Sequence, residues 1–181
     1  MNYYDVANTT ELQEYKNKNL FDPWIGTSLE GYRYMNNKQK GAFGEKYVQI
    51  VMESFGHDVK PAATSTAGHD RVINGILTEI KFSVTKTNTP KRTLTEDDFT
   101  INHVAVGKDW ERLIFFGVNK DPSKFRAKFM TKEQFVRALE ETDFITSQQG
   151  GKKSGNDDWM ISGKRLCKMM ESKYMQDLTE W

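Results

Sequence analysis

Two short runs of β-branched and apolar residues, Arg71-Val72-Ile73 and Ile76-Leu77-Thr78, flank Asn74-Gly75. That dipeptide between two such runs signals a two-residue hairpin turn, because both central residues must take positive φ. A turn there dictates the pairing: Ile73 faces Ile76, Val72 faces Leu77, Arg71 faces Thr78, and Asp70 faces Glu79. The second strand is predicted over Leu77–Val84, with Ile80 and Phe82 on one face and Glu79 and Lys81 on the other. A helix is predicted over 39–56, where Phe43, Tyr47, Val48, Ile50, Val51, Met52 and Phe55 recur at spacings near three and four and Gly56 supplies the stop. This helix is the natural cover for the Ile80 and Phe82 face. Gly41 and Gly44 would let it approach its neighbours closely.

The remaining pattern extends the sheet. His57–Pro61 reads as its first strand and residues 62–68 as a polar connection. Phe99–Val106 is strand-like, and Arg112–Val118 is apolar enough to be buried on both faces. Lys128–Met130 enters a helix capped by Thr131, with Glu133 and Gln134 in its first turn and its end near Thr142. A closing helix is expected over 159–178, with Met160, Ile161, Leu166, Met169 and Met170 as apolar contacts. Near the N-terminus, Thr10-Glu11-Leu12-Gln13 opens a short helix and Pro23–Ser28 reads as a turn. Tyr32, Arg33, Tyr34, Asn36, Asn37, Lys38 and Lys40 suit either a packed arm with solvated charges or phosphate contacts. The fold class is therefore α/β (α+β), a central mixed β-sheet flanked by helices. One domain is expected over 1–181, with its core at about 39–142, an N-terminal arm at 1–38, and a C-terminal loop and helix at 143–181.

Composition narrows the function. Hydrophobic residues at 37% and aromatics at 12% argue for a folded globule. With 26 basic and 25 acidic side chains the net charge is only +1, so a DNA enzyme of this composition must gather its basic groups in one cleft. Cys167 has no partner for an internal disulfide and suits a reducing, cytoplasmic setting. The histidines are too scattered for a zinc site. Met1-Asn2-Tyr3-Tyr4-Asp5 does not resemble a secretory signal, and the apolar run Leu113–Phe116 is too short to cross a bilayer. Without a Walker loop or dinucleotide fingerprint, no nucleotide cofactor is expected.

The hairpin register carries the chemistry. Asp70 and Glu79, directly opposed, would sit roughly 4.5–5.5 Å apart at Cβ, an unfavourable arrangement for like charges. A hard divalent cation between them reverses the sign. Lys81, two residues from Glu79, lies on the same face.

The order Asp70, spacer, Glu79-Ile80-Lys81, followed by apolar Phe82, resembles the PD-(D/E)XK nuclease superfamily, with His69 where the namesake proline would stand. The resemblance covers roughly residues 40–120. It implies a restriction-endonuclease-like core. It also implies Mg²⁺ (Mn²⁺ as a substitute) held by Asp70, Glu79 and the backbone carbonyl of Ile80, with Lys81 orienting or deprotonating the attacking water. Glu45, in Gly44-Glu45-Lys46-Tyr47, matches the acid that many members carry on the first core helix, either near the metal or simply as a surface glutamate. The implied activity is that of a Type II restriction endonuclease cutting double-stranded DNA as a homodimer. A structure-specific nuclease and a non-catalytic DNA-binding module are the alternatives. Arg71, Lys86, Gln148, Gln149, Lys152, Lys153 and Asn156 are candidate DNA contacts, although Lys86–Asp98 and Gln148–Asp158 fit ordinary surface loops as well.

Overall fold

In the computed structural model, which describes residues 8–19, 22–64, 66–85, 98–148 and 156–181, the hairpin turn forms as its residue types demand. Asn74 and Gly75 have φ of 51° and 83°. They join β2 (Arg71–Ile73) to β3 (Ile76–Val84), paired Ile73 to Ile76, Val72 to Leu77 and Arg71 to Thr78. The Asn74 side-chain oxygen accepts the Asp58 N–H at 2.9 Å, tying the turn to the chain entering β1 (Val59–Pro61).

The main sheet has the order β1-β2-β3-β5-β6-β9, where β5 is Arg112–Val118, β6 Arg126–Thr131 and β9 Gln176–Asp177. Only β3 and β5 run parallel, and the other neighbours are antiparallel, so the sheet is mixed but mostly antiparallel. A smaller sheet holds β4 (Thr100–Val104), β8 (Trp159–Ser162) and β7 (Thr146–Ser147) in the order β4-β8-β7.

Alternation along β5 divides the interior. Ile114 and Phe116 enter a core with Ile80 of β3 and with Val48 and Met52 of α2 (Asn37–Ser54). Leu113 and Phe115 enter a second core with Ile101 of β4, Ile161 of β8, Phe135 of α3 (Lys132–Glu141), and Leu166 and Met169 of α4 (Lys164–Met170). Each such side chain, fully buried, contributes about 1.5–3 kcal/mol, so both faces of the sheet are energetically committed. Gly56, with φ of 86°, ends α2, and the His57 N–H reaches back to the Met52 carbonyl at 3.1 Å. Thr131 and Gln134 form the expected capping box on α3.

The C-terminal segment departs from expectation. Residues 159–178 do not form one helix but β8, α4 and β9 in turn. Met160 and Ile161 suit either period, and the free edge of β4 takes Ile161 opposite Ile101. Gly163, at φ 53°, then turns the chain into α4. β7 and β9 were not expected; each is two residues long, too short to leave a periodicity.

The chain divides into two compact units, residues 1–36 and 37–181. In the first, α1 (Thr10–Asn19) occupies the expected site, and the Asp22 carboxylate accepts the N–H groups of Trp24 at 2.9 Å and Gly31 at 2.8 Å.

Gly44 packs α2 directly on β3, where an added Cβ would collide with the Cβ of Phe82, whereas one on Gly41 would meet open space. Urea denaturation should therefore find Gly44→Ala destabilised by about 1–3 kcal/mol. Gly41→Ala should be stabilised by about 0.5–1 kcal/mol through helix propensity.

Candidate active site

The β2–β3 ladder stops at Arg71 opposite Thr78, one residue short of the expected Asp70–Glu79 pair. Asp70 instead shifts: its own N–H bonds to the Thr78 carbonyl at 3.0 Å, and its Oδ2 accepts the Ile80 N–H at 2.7 Å. The carboxylate thus stands where β2 would have continued, filling the hydrogen-bond position that β3 still presents. Both polar groups of a strand residue point to the same edge, so the Ile80 carbonyl also faces the side that β2 vacates. The bond to the Ile80 N–H gives Asp70 a structural part as well, since Asp70→Ala would leave a part-buried donor unsatisfied.

Glu79 and Lys81 lie beside Leu113 and Phe115 in the parallel register, on an otherwise apolar face. Glu79 is only 4% exposed, and its Oε1 accepts from Lys81 Nζ at 2.7 Å. Burial pushes the Glu79 carboxyl above the ordinary carboxylate range, with the charge of Asp70 adding to the rise and Lys81 and Lys108 opposing it. Glu45 is also raised, first by burial and then by Asp70, against the guanidinium of Arg71. Asp70, Glu79, Lys81 and Glu45 therefore share one electrostatic field.

Arg71, a candidate DNA contact, turns inward. Its Nη1 bonds Glu45 Oε2 at 2.9 Å and the Asp70 carbonyl at 2.7 Å, and its Nε is buried without a hydrogen-bond partner. Gln148 joins the site's border: its Oε1 accepts the His103 N–H at 2.9 Å and its Nε2 meets His103 Nε2 at 2.9 Å. Asn156 is exposed on the approach to β8. Lys86, Gln149, Lys152 and Lys153 lie outside the described residues.

Three neighbours escaped sequence reasoning. His103 offers its carbonyl to Lys81 Nζ at 3.1 Å, Asp158 contacts the His103 ring at 3.2 Å, and Lys108 acts on Glu79 through its charge. They come from segments remote in sequence, and nothing in their local spacing marks them.

Among the described residues, no group of three or more His, Cys, Asp and Glu side chains is placed to hold a metal ion. A cation here would rest on Asp70, Glu79 and the Ile80 carbonyl, with one oxygen of Glu45 taken by Arg71. Both Glu79 and Glu45 have raised proton affinity, chiefly through burial and in part through the charge of Asp70.

No family model and no curated protein matches this chain. Among solved structures, a bacterial homing endonuclease is similar at 10% identity, over 54% of this chain and 68% of that one, with a TM-score of 0.36. Among the described residues, no helix is long and apolar enough to cross a membrane.

Because Glu79 binds its proton more tightly folded than unfolded, its contribution to stability is present below the ordinary value of 4.5 and is lost as pH rises through the raised one. Denaturant titrations across acid to neutral pH should therefore show wild type losing stability relative to Glu79→Gln as pH rises. A difference independent of pH would remove the desolvation account.

Proposed function

We propose that this protein is a Mg²⁺-dependent endonuclease of the PD-(D/E)XK kind, hydrolysing phosphodiester bonds of double-stranded DNA on a restriction-endonuclease-like core. The observation that carries the proposal is the 2.7 Å pair of Lys81 Nζ and Glu79 Oε1, set beside an Asp70 that has left the ladder to accept the Ile80 N–H. A merely structural ion pair needs no second acid, and an edge N–H needs no charged acceptor. The proposed nuclease needs two carboxylates in one electrostatic field with an ammonium bonded to one of them, as Asp70, Glu79 and Lys81 are.

Asp70, Glu79 and the Ile80 carbonyl would hold the ion, which when bound lowers the pKa of a coordinated water and neutralises the phosphate. Lys81 has three donors. Glu79 and His103 occupy two of them, so the third is left to hold the attacking water or a phosphate oxygen. Glu45 and Arg71 brace Asp70 from the α2 side, the guanidinium gripping the Asp70 carbonyl. Within this activity, a Type II restriction endonuclease acting as a cytoplasmic homodimer is the favoured form. The net charge of +1 suits a localised DNA cleft better than the broadly basic surface of a junction resolvase.

Plasmid DNA incubated with Mg²⁺ should give discrete fragments. Cutting confined to branched substrates would move the assignment to a structure-specific nuclease, and no cutting at all would leave a DNA-binding module. Asp70→Asn and Glu79→Gln, which keep a hydrogen-bonding oxygen, should lower the cleavage rate by about a hundredfold or more while remaining folded. Lys81→Ala should lower it by about 10²–10⁴-fold. A folded Asp70→Asn protein cutting at the wild-type rate would end the proposal.

A further inference from the structure

Lys81 is held from two sides, by Glu79 Oε1 within its own strand and by the main-chain carbonyl of His103 across the interface with β4. His103 is not an ordinary strand residue. Its φ is 53°, a left-handed conformation that a residue with a Cβ adopts rarely. It sits where the pairing of β4 with β8 shifts register, between Ile101 and Val104. A regular strand would send the carbonyl along the ladder; the left-handed kink sends it to Lys81 instead.

The kink is held from outside β4. The Gln148 side chain grips residue 103 twice, its Oε1 on the N–H and its Nε2 on the ring Nε2, each at 2.9 Å. An amide nitrogen only donates, so the ring Nε2 accepts and the ring proton sits on Nδ1, facing Asp158 Oδ1 at 3.2 Å. Gln148 and Asp158 are in turn joined by a main-chain bond, Gln148 N–H to Asp158 carbonyl, at 2.9 Å. Both ring nitrogens are thus occupied although the side chain is 61% exposed. A disfavoured backbone conformation held by three outside contacts marks a residue whose geometry serves something else.

We infer that His103 is a positioning residue: Gln148 and Asp158 lock it in the left-handed conformation so that its carbonyl fixes the Lys81 ammonium beside Glu79. This rests on Lys81 being the catalytic amine of the proposed nuclease. The operative group is the main-chain carbonyl, and the ring serves as a handle.

The test compares His103→Val, whose β-branched side chain opposes positive φ, with His103→Asn, which tolerates it. Each full-length variant is assayed for plasmid cleavage with Mg²⁺ and for the NMR signal of the Lys81 side-chain ammonium, identified by its loss in Lys81→Arg. His103→Val should lower kcat by about tenfold or more, leave KM nearly unchanged and move the Lys81 signal, whereas His103→Asn should stay within about threefold of wild type with the signal in place. Gln148→Ala, which removes the grip without changing residue 103, should move the same signal and lower kcat, and it replaces His103→Val if that protein does not fold. Wild-type kcat and an unmoved signal in His103→Val and Gln148→Ala would overturn the inference, as would His103→Asn lowering kcat as far as His103→Val while leaving the Lys81 signal in place. If the wild-type protein cuts no DNA, the nuclease proposal falls, and the Lys81 signal alone decides the positioning.

Discussion

β3 outruns its antiparallel neighbour, and the rest of the site follows from that mismatch. β2 ends opposite Thr78, while β3 continues to Val84. The Ile80 N–H on the abandoned edge still requires an acceptor, because an unpaired buried donor costs about 1–3 kcal/mol. Asp70 provides it with a side-chain oxygen. A backbone requirement thereby places a carboxylate at the end of a truncated ladder, next to another carboxylate that alternation has already put on β3.

That second carboxylate is expensive to bury. Glu79 lies on the sheet face that otherwise contributes Leu113 and Phe115 to a core, and it is tolerable there because Lys81, two residues on, shares its face and closes to 2.7 Å. The opposite face has no such conflict. Ile80 and Phe82 meet α2, and Gly44 lets that helix come down onto Phe82. The closeness of α2 also brings Glu45 within 2.9 Å of Arg71, completing a chain of charges from helix to strand edge. Apolar packing on one face thus sets the spacing of ionised groups at the end of the hairpin.

The small sheet supplies what the large one lacks. β4 carries a left-handed residue whose carbonyl reaches the Lys81 ammonium, and the chain on either side of residues 149–155 returns to hold that residue through Gln148 and Asp158. Asp157 clamps the neighbouring turn by accepting the N–H groups of Val106 and Gly107. His103 and Gln148, 45 residues apart in sequence, thereby meet one contact away from the Lys81 amine.

Local chemistry determined the hairpin. Asn-Gly dictates positive φ at both turn residues, the turn length dictates register, and strand alternation puts Glu79 with Lys81 and Ile80 with Phe82. The α2 helix, its Gly56 stop, the Thr131 cap and the doubly buried β5 were legible for the same reason, each being a short-range pattern with a single geometric solution, although Ile50 and Phe55, expected on the apolar stripe of α2, stay exposed. Residues 159–162 were misread because Met160 and Ile161 suit a helix as well as a strand, and only the open edge of β4 decides between them. The position of Asp70 was decided by where β2 ended, Arg71 was drawn inward by Glu45, and His103 became part of the site through contacts with Lys81, Gln148 and Asp158. Turn and face are set by neighbours in the chain, whereas the end of a ladder and the partner of a charge are set by whatever the fold brings alongside, which no local pattern encodes.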